Sequence, residues 1–220
     1  MKHHAIAIDG PSGAGKSTVA RILAKELGFV FIDTGAMYRA LAIRTLEEGI
    51  DATDQAAVEE AAERATVTIR FEDGTQHVFL DGTDVTARLR DQTVGDTASA
   101  ISVYGRVRER MVELQQALAK EADVIMDGRD IGTVVLPGAD LKIYLTASSF
   151  VRAKRRYDEL IARGEQAHLP DIEQEIKERD HRDTTRTHSP LRRAEDAVEI
   201  DSSGLTIEEV VARIRALYEG

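Results

Sequence analysis

A glycine-rich segment near the start of the chain has the residue types needed to bind phosphate. It reads GPSGAGKS over residues 10–17, so that Gly10, Gly15, Lys16 and Ser17 match the pattern G-x-x-x-x-G-K-[ST] without a mismatch. Glycines let backbone N–H groups approach phosphate oxygens, and a helix that follows adds its positive end. We expect Lys16 to reach the β- and γ-phosphates of a nucleoside triphosphate and the Ser17 hydroxyl to ligate Mg²⁺. The predicted donor loop comprises Gly10, Pro11, Ser12, Gly13, Ala14, Gly15, Lys16, Ser17 and Thr18.

The elements around this segment favour a triphosphate site over a turn that only caps a helix. Five short apolar runs, with helical patterns between them, are nearly continuous in hydrophobicity, which is typical of strands buried on both faces of a parallel sheet. The first run precedes the glycine-rich segment directly, and an amphipathic helix follows it. We therefore predict an α/β fold of the P-loop NTPase class, with a five-stranded parallel sheet flanked by helices. The predicted strands are residues 4–9, 29–33, 123–127, 141–146 and 196–201.

Arginines stand where a second phosphate would lie. Arg39 follows the second predicted strand and Arg129 the third, and ligands of open α/β sheets bind at the carboxyl ends of the strands. A highly charged segment, residues 152–193, adds further arginines. Any one of them could be a surface ion pair, but several in a net acidic chain favour a second phosphate-bearing substrate. A phosphate acceptor is already ionised, which agrees with our finding no convincing catalytic base in the sequence.

Two regions depart from the alternation of strand and helix. Residues 66–80 alternate apolar and polar residues on either side of an Asp-Gly pair, which predicts an antiparallel hairpin inserted into the parallel core. The charged segment is either a solvated helical arm or a lid over the site.

Composition excludes several classes of function. The chain has 220 residues, the length of one domain, and a net charge of −10, which argues against general affinity for nucleic acid or anionic lipid. No apolar run approaches the roughly 20 residues that span a membrane. The chain contains no cysteine, which fits a reducing cytoplasm.

Several motifs, in this order, resemble the bacterial cytidylate kinase family of nucleoside monophosphate kinases over nearly the whole chain. They read IDGPSGAGKST, DTGAMYRA (33–40), DGRDIGTVVLPGADLKIYLTAS (127–148), RAKRR (152–156), KERDHRDTTR (177–186) and SPL (189–191). The resemblance implies magnesium-dependent transfer of the γ-phosphoryl group of ATP to CMP or dCMP, giving ADP and the nucleoside diphosphate, in pyrimidine metabolism. It also implies a monomer with one kinase domain (1–220), a monophosphate-binding insertion at about 35–105 and a helical lid at about 148–188.

The resemblance also assigns roles to individual residues. The residues implied to hold the acceptor phosphate are Arg39, Arg129 and Arg186. Those implied to read the cytosine are Ser99, Arg108 and Asp130, and those at the sugar are Arg179 and Asp183. Thr34 and Gly128 belong to the same CMP site. Arg155 and Arg156 are implied to close over the transferring group, which with Lys16, Arg129 and Arg186 makes up the catalytic set. Asp127 is expected to meet water molecules bound to Mg²⁺ rather than the ion itself.

Simpler interpretations exist for several of these residues. Asp130 could cap the structure after its strand. Arg179 and Asp183 are four residues apart and could form an ion pair on a helix surface. The choice between Arg106 and Arg108 rests on spacing, which favours Arg108.

The sequence also allows other functions. The closest alternative is a P-loop kinase for UMP, AMP or a hydroxylated acid such as shikimate. An alternative of a different class is a nucleotide-binding regulator that hydrolyses ATP slowly.

Overall fold

The computed structural model describes residues 3–72 and 75–220, which form alternating strands and helices. The strands are β1 (Ala5–Asp9), β2 (Val30–Asp33), β3 (Val67–Glu72), β4 (Thr75–Leu80), β5 (Thr83–Asp84), β6 (Val124–Gly128), β7 (Leu141–Thr146) and β8 (Val198–Asp201). The helices are α1 (Lys16–Leu27), α2 (Thr34–Glu47), α3 (Gln55–Arg64), α4 (Gln92–Ile101), α5 (Gly105–Leu118), α6 (Ser149–Ala162), α7 (Leu169–Thr185) and α8 (Ile207–Glu219). A 3-10 helix covers Thr86–Arg90, and a π-helical turn covers Ile131–Val135.

The core is a five-stranded sheet in the spatial order β2-β6-β1-β7-β8, with every neighbouring pair parallel. The predicted parallel sheet is therefore confirmed, and each strand lies within two residues of its predicted bounds. The inner strands β1 and β6 are mainly apolar on both faces because both faces are covered. Ile8 and Ile143 pack against α1 and α8, whereas Ala7 and Met126 pack on the opposite face beside the π-helical turn and α5.

The predicted hairpin is present as β3 and β4, which pair antiparallel, and β5 extends them to a small three-stranded sheet. The predicted Asp-Gly turn at positions 73 and 74 lies outside the described residues. This sheet packs with α2, α3, α4 and α5 around a second apolar cluster that includes Leu41, Val78 and Met111.

One glutamine connects this insertion to the edge of the core sheet. The side-chain oxygen of Gln76 accepts a hydrogen bond from the backbone N–H of Asp33 at 2.9 Å, and its amide nitrogen donates to the Asp33 carbonyl at 3.4 Å. Asp33 is the last residue of β2, the outermost strand on that side of the sheet. The insertion is thereby fixed beside the carboxyl ends of the strands.

The charged segment forms the helical pair α6 and α7, which pack on each other. The Ser148 hydroxyl caps α6 by accepting from the Val151 N–H, and Pro170 stands in the first turn of α7, where its missing N–H costs nothing. Of the helices that the structure describes, not one is long and apolar enough to cross a lipid bilayer.

Candidate active site

The carboxyl ends of β1, β2 and β6 open into a cavity of about 600 Å³. The glycine-rich loop lines one end of the cavity, and residues of α2, α4, α5 and α7 line the other. Strand order explains this position, because the chain leaves β1 toward β2 at one edge of the sheet, whereas it leaves the neighbouring β6 toward β7 in the opposite direction.

The glycine-rich loop has a backbone that only glycine allows at its first position. Gly10 has φ of +148°, and a Cβ placed there would lie 1.9 Å from the carbonyl oxygen of Leu145 at the end of β7. The chain can therefore turn sharply off β1 and bring residues 12–18 to the cavity wall. Because α1 begins at Lys16, the free N–H groups of its first turn lie at the same wall.

Lys16 is buried and folded back onto its own loop. Its Nζ donates to the carbonyl oxygen of Pro11 at 2.8 Å. Burial, followed by repulsion from Arg129, lowers the pKa of Lys16 to about 7. A phosphate beside Nζ would raise the pKa of Lys16 again, so this lysine is suited to bind a polyanion.

The strand registers bring three carboxylates together behind the loop. Asp33 of β2 is paired with Asp127 of β6, and Asp9 of β1 is paired with Gly128, the residue after Asp127. The Ser17 hydroxyl donates to Asp127 Oδ2 at 2.6 Å. Within the described residues, the buried Oδ1 of Asp127 has no hydrogen-bond partner. Burial, and then repulsion from Asp33, raises the pKa of Asp127 to about 6. A hydroxyl beside a carboxylate with a free oxygen suits Mg²⁺, which prefers oxygen ligands and retains waters when it binds phosphates.

Asp9 joins the glycine-rich loop to the loop that follows β6. Its two carboxylate oxygens accept the N–H groups of Ile131 at 2.8 Å and Gly132 at 2.7 Å. Burial raises the pKa of Asp9 to about 6 against the opposing effect of these hydrogen bonds. Asp9 therefore fixes the backbone directly after Arg129 and Asp130.

Four of the predicted acceptor-site arginines surround the middle of the cavity. Arg129 Nε donates to Asp183 at 2.8 Å, and Arg186 donates twice to the carbonyl oxygen of Ser189. Among residues 3–72 and 75–220, the buried Nε of Arg179 has no partner, and burial lowers the pKa of this arginine to about 10. Arg39 Nη1 lies 3.8 Å from Asp33 Oδ2. These positive charges exceed their carboxylate partners, which favours a bound polyanion.

Two smaller predicted residues shape the floor of the cavity. Thr34 is buried, and its hydroxyl donates to the carbonyl oxygen of Asp127 at 2.7 Å. At Gly128 any Cβ would come within 2.8 Å of the Thr34 hydroxyl oxygen and of Ile131 side-chain atoms. The floor is therefore closely packed beside Arg129.

The far end of the cavity is formed by a buried ion pair. Arg108 Nη2 donates to Asp130 Oδ2 at 2.6 Å, Arg108 Nη1 donates to the Ser102 carbonyl at 3.1 Å, and the guanidinium lies over the ring of Tyr38. In the part of the chain that the structure describes, the buried hydroxyls of Ser99 and Tyr38 have no partners. Unpaired polar groups beside a fixed charge pair are suited to a ligand with its own donors and acceptors.

Several simpler interpretations are wrong. Asp130 pairs with Arg108 instead of capping the turn with its side chain. Asp183 is buried and bonded to Arg129, so it is not half of a surface pair with Arg179. Burial itself raises the pKa of Asp183, but Arg129, with smaller effects of Arg179 and Arg186, more than offsets this and brings the pKa below its usual value.

The choice between two arginines of α5 is resolved by where they lie. Arg108 is buried at the cavity, as spacing favoured. Arg106 is 63% exposed and pairs with Glu63 of α3.

The two arginines predicted to close over the transferring group lie at the cavity wall but are held by protein groups. Arg155 Nη2 donates to the carbonyl oxygen of Ser202 at 2.8 Å. Arg156 donates to Glu159 and to the side-chain oxygen of Gln92, both at 3.1 Å, and so bridges from α6 to α4. Their closing over a substrate stays a prediction.

Sequence reasoning missed three residues of this region. Asp9 directly precedes the glycine-rich loop, Tyr38 lies within the DTGAMYRA motif, and Arg152 lies within the RAKRR motif, where the sequence analysis gives it no role of its own. Arg152 is in fact 4% exposed and lines the cavity. A polar residue within a matched motif was the available signal, but each partner lies far away along the chain.

Comparison with known proteins gives consistent results along the whole chain. The family model described as cytidylate kinase matches residues 6–219. A cytidylate kinase of Caldicellulosiruptor bescii is 50% identical over 218 residues, covering 99% of this chain and 96% of that protein. A cytidylate kinase of Pelotomaculum thermopropionicum is 51% identical over 212 residues, covering 96% and 94%.

A solved structure gives the fold independently. A shikimate kinase from Bacteroides thetaiotaomicron superposes with a TM-score of 0.50 over 99% of both chains at 13% identity. At this identity the likeness shows the P-loop kinase fold alone.

Proposed function

The chain belongs to the cytidylate kinase family, and we propose that it transfers the γ-phosphoryl group of ATP to CMP or dCMP, forming ADP and CDP or dCDP. The observation that carries this proposal is the single cavity that runs from the glycine-rich loop, past four arginines, to the buried Arg108–Asp130 pair. Such a cavity can hold two nucleotides with their phosphates facing each other. The products supply pyrimidine nucleotide metabolism.

The donor end would bind ATP through the loop of residues 10–18. Lys16 leaves the Pro11 carbonyl for the β- and γ-phosphates, which favour its charged form. Ser17 and Asp127 are the residues that would hold Mg²⁺, Ser17 directly and Asp127 through water. Bound there, the ion neutralises charge on the β- and γ-phosphates.

The acceptor phosphate is the nucleophile. One of its oxygens forms a bond to the γ-phosphorus, and the bond from that phosphorus to the β–γ bridging oxygen breaks, leaving its electron pair on ADP. The acceptor is already ionised, so the protein has only to align two polyanions and offset their charge. Arg39, Arg129 and Arg186 would offset the charge on the acceptor side.

The far end would select the base. Cytosine carries an amine where uracil carries a carbonyl, so acceptors on Asp130 and Ser99 reward cytosine, with Arg108 orienting the carboxylate. Uracil would leave buried polar groups unpaired, at about 1–3 kcal/mol each. Arg179 and Asp183 would meet the sugar, and Asp183 would then share its carboxylate between Arg129 and the ligand.

We propose that Arg155 and Arg156 move from their protein partners onto the transferring group, as an arginine finger does. In this proposal residues 35–105 form the monophosphate-binding insertion and residues 148–188 the lid of one domain. We further propose a monomer that acts in the cytoplasm, which the absence of cysteine fits. The net charge of −10 disfavours nucleic acid or an anionic membrane as a partner.

A coupled assay of ADP release tests the function. MgATP is supplied with CMP, dCMP, UMP, AMP or shikimate in turn, and a reaction without acceptor serves as the control. Rapid turnover confined to CMP and dCMP is expected. Comparable turnover with UMP would overturn the account of base selection, and ADP release that ignores every acceptor would indicate a nucleotide-hydrolysing regulator instead.

A further inference from the structure

Arg152 is unusual among the arginines of the cavity because its partners fix it on three sides. Its Nε donates to the carbonyl oxygen of Ala147 at 2.8 Å, and Nη1 donates to that of Ser12 at 3.1 Å. Nη1 and Nη2 also form a two-pronged pair with the Asp180 carboxylate, at 3.1 and 2.6 Å. A buried, doubly bonded guanidinium of this kind holds its partners in a defined geometry.

The first partner belongs to the donor end. Ser12 lies in the glycine-rich loop, and its neighbour Gly13 packs directly on the arginine, since a Cβ on Gly13 would lie 3.2 Å from Arg152 Cβ. The loop and the start of α6 are thus in van der Waals contact as well as hydrogen-bonded. A phosphate that fixes the loop backbone also fixes Arg152.

The second partner belongs to the helix that carries the acceptor-side residues. Asp180 lies on α7 between Arg179 and Asp183, and Asp183 holds Arg129 at 2.8 Å. Asp180 itself is not among the described residues that line the cavity. One face of α7 is therefore tied to the donor loop by Asp180 and, one turn later, to the loop after β6 by Asp183.

We propose that Arg152 and Asp180 are a positioning pair that couples the two halves of the site, so that ATP on the glycine-rich loop strengthens binding of the acceptor. The inference rests on the proposed function, because it takes α7 as part of the acceptor site. The physical path is continuous from Ser12 through Arg152 and Asp180 to α7, with each step a partly buried hydrogen bond or ion pair. Neither residue needs to touch the acceptor.

The test measures binding, not turnover. The CMP dissociation constant is determined by calorimetry with and without Mg²⁺ and the non-hydrolysable ATP analogue AMP-PNP, and the ratio of the two values is the coupling factor. We expect a factor of about five or more in the unmodified chain. Asp180→Asn keeps the size of the side chain but loses its charge, and it should bring the factor below about two while CMP binding alone changes little.

The matched control is Glu178→Gln, which makes the same chemical change on the exposed side of α7, where, among the residues that the structure describes, Glu178 accepts only from Gln174. It should retain the full coupling factor. Arg152→Lys keeps the charge but loses the two-pronged geometry, and it serves as the second variant if Asp180→Asn fails to fold in a thermal melt.

Three results overturn the inference. They are a coupling factor of one in the unmodified chain, an unchanged factor in Asp180→Asn and Arg152→Lys, and an equal loss in Glu178→Gln. Failure of the proposed function looks different, because the unmodified chain would then show no CMP-dependent ADP release.

Discussion

The donor and acceptor ends of the cavity are built from different kinds of groups. The glycine-rich loop at the donor end is one contiguous segment that brings backbone and a single lysine to the cavity wall, so its geometry is set locally by glycines. The acceptor end is made of side chains from α2, α4, α5, α7 and the loop after β6, and its charged pairs, Arg108 with Asp130 and Arg129 with Asp183, join different elements. The geometry of the phosphate loop therefore follows from a short stretch of sequence. The geometry of the acceptor end depends on how the insertion and the helices α6 and α7 pack on the core.

The largest expected effect is that of Lys16→Met on kcat, which tests the donor end separately from the acceptor end. Lys16→Met removes the one side-chain charge of the donor loop, so kcat should fall by about 10³-fold. Binding of CMP alone, measured by calorimetry, should stay within about twofold, because acceptor contacts come from other elements. A parallel loss of CMP affinity would break the comparison by showing that the two ends are not built separately.

A smaller effect is expected at Asp9, where the two ends meet. Its pKa is raised from 3.8 to about 6 on folding, so the folded state holds this proton more tightly than the unfolded chain does. The stability that this gives is complete below pH 3.8 and is lost as the pH rises through 6, by about 3 kcal/mol. The unfolding free energy of the unmodified chain relative to Asp9→Asn should therefore fall by most of that amount, about 2.4 kcal/mol, between pH 4 and pH 7.

Urea titrations of both proteins at a series of pH values measure this difference. Any constant cost of Asn at this position, which can satisfy only one of the two backbone N–H groups, cancels from the slope. A difference that does not vary with pH would contradict the burial of a charged carboxylate at Asp9.

The next effect concerns base selection alone. Asp130→Asn replaces an acceptor with an amide that can donate to the carbonyl of uracil, so the ratio of kcat/KM for CMP over UMP should fall by about 10- to 100-fold. Steady-state kinetics with both acceptors give the ratio. KM for ATP should stay nearly constant, and a change in it as large as that for CMP would place Asp130 in a general structural role.

The smallest effect is expected at Arg106, which is compared with Arg108 on the same helix, α5. Arg106→Ala removes an exposed partner of Glu63, and the CMP over UMP ratio should change by less than about twofold. Arg108→Ala leaves Asp130 buried without its partner and should lower the same ratio by at least tenfold, roughly the cost of an unpaired buried charge. Equal effects of the two substitutions would contradict the orientation of α5.

The sequence predicted the parts whose physics is local. Continuous apolar runs marked the five strands, and glycine spacing marked the donor loop, because both follow from short-range patterns. Arg108 was preferred to Arg106 by spacing, and the helical rotation of α5 explains why. The partners of Arg152 and Asp9 could not be predicted, because Asp180 and Ile131 lie 28 and 122 residues away along the chain. Such contacts depend on how helices pack on the sheet, which residue pattern alone does not specify.

The hydrogen bonds of Gln76 also bear on whether two copies of the chain can pair through their sheet edges. The outermost strand of a sheet presents unpaired N–H and C=O groups on which a second chain can pair. At the end of β2 the amide of Gln76 occupies both groups of Asp33 and acts as a one-residue substitute for a neighbouring strand. We therefore expect the insertion also to hinder pairing of a second chain at this end of β2, and trimming the hairpin would expose the backbone groups of Asp33.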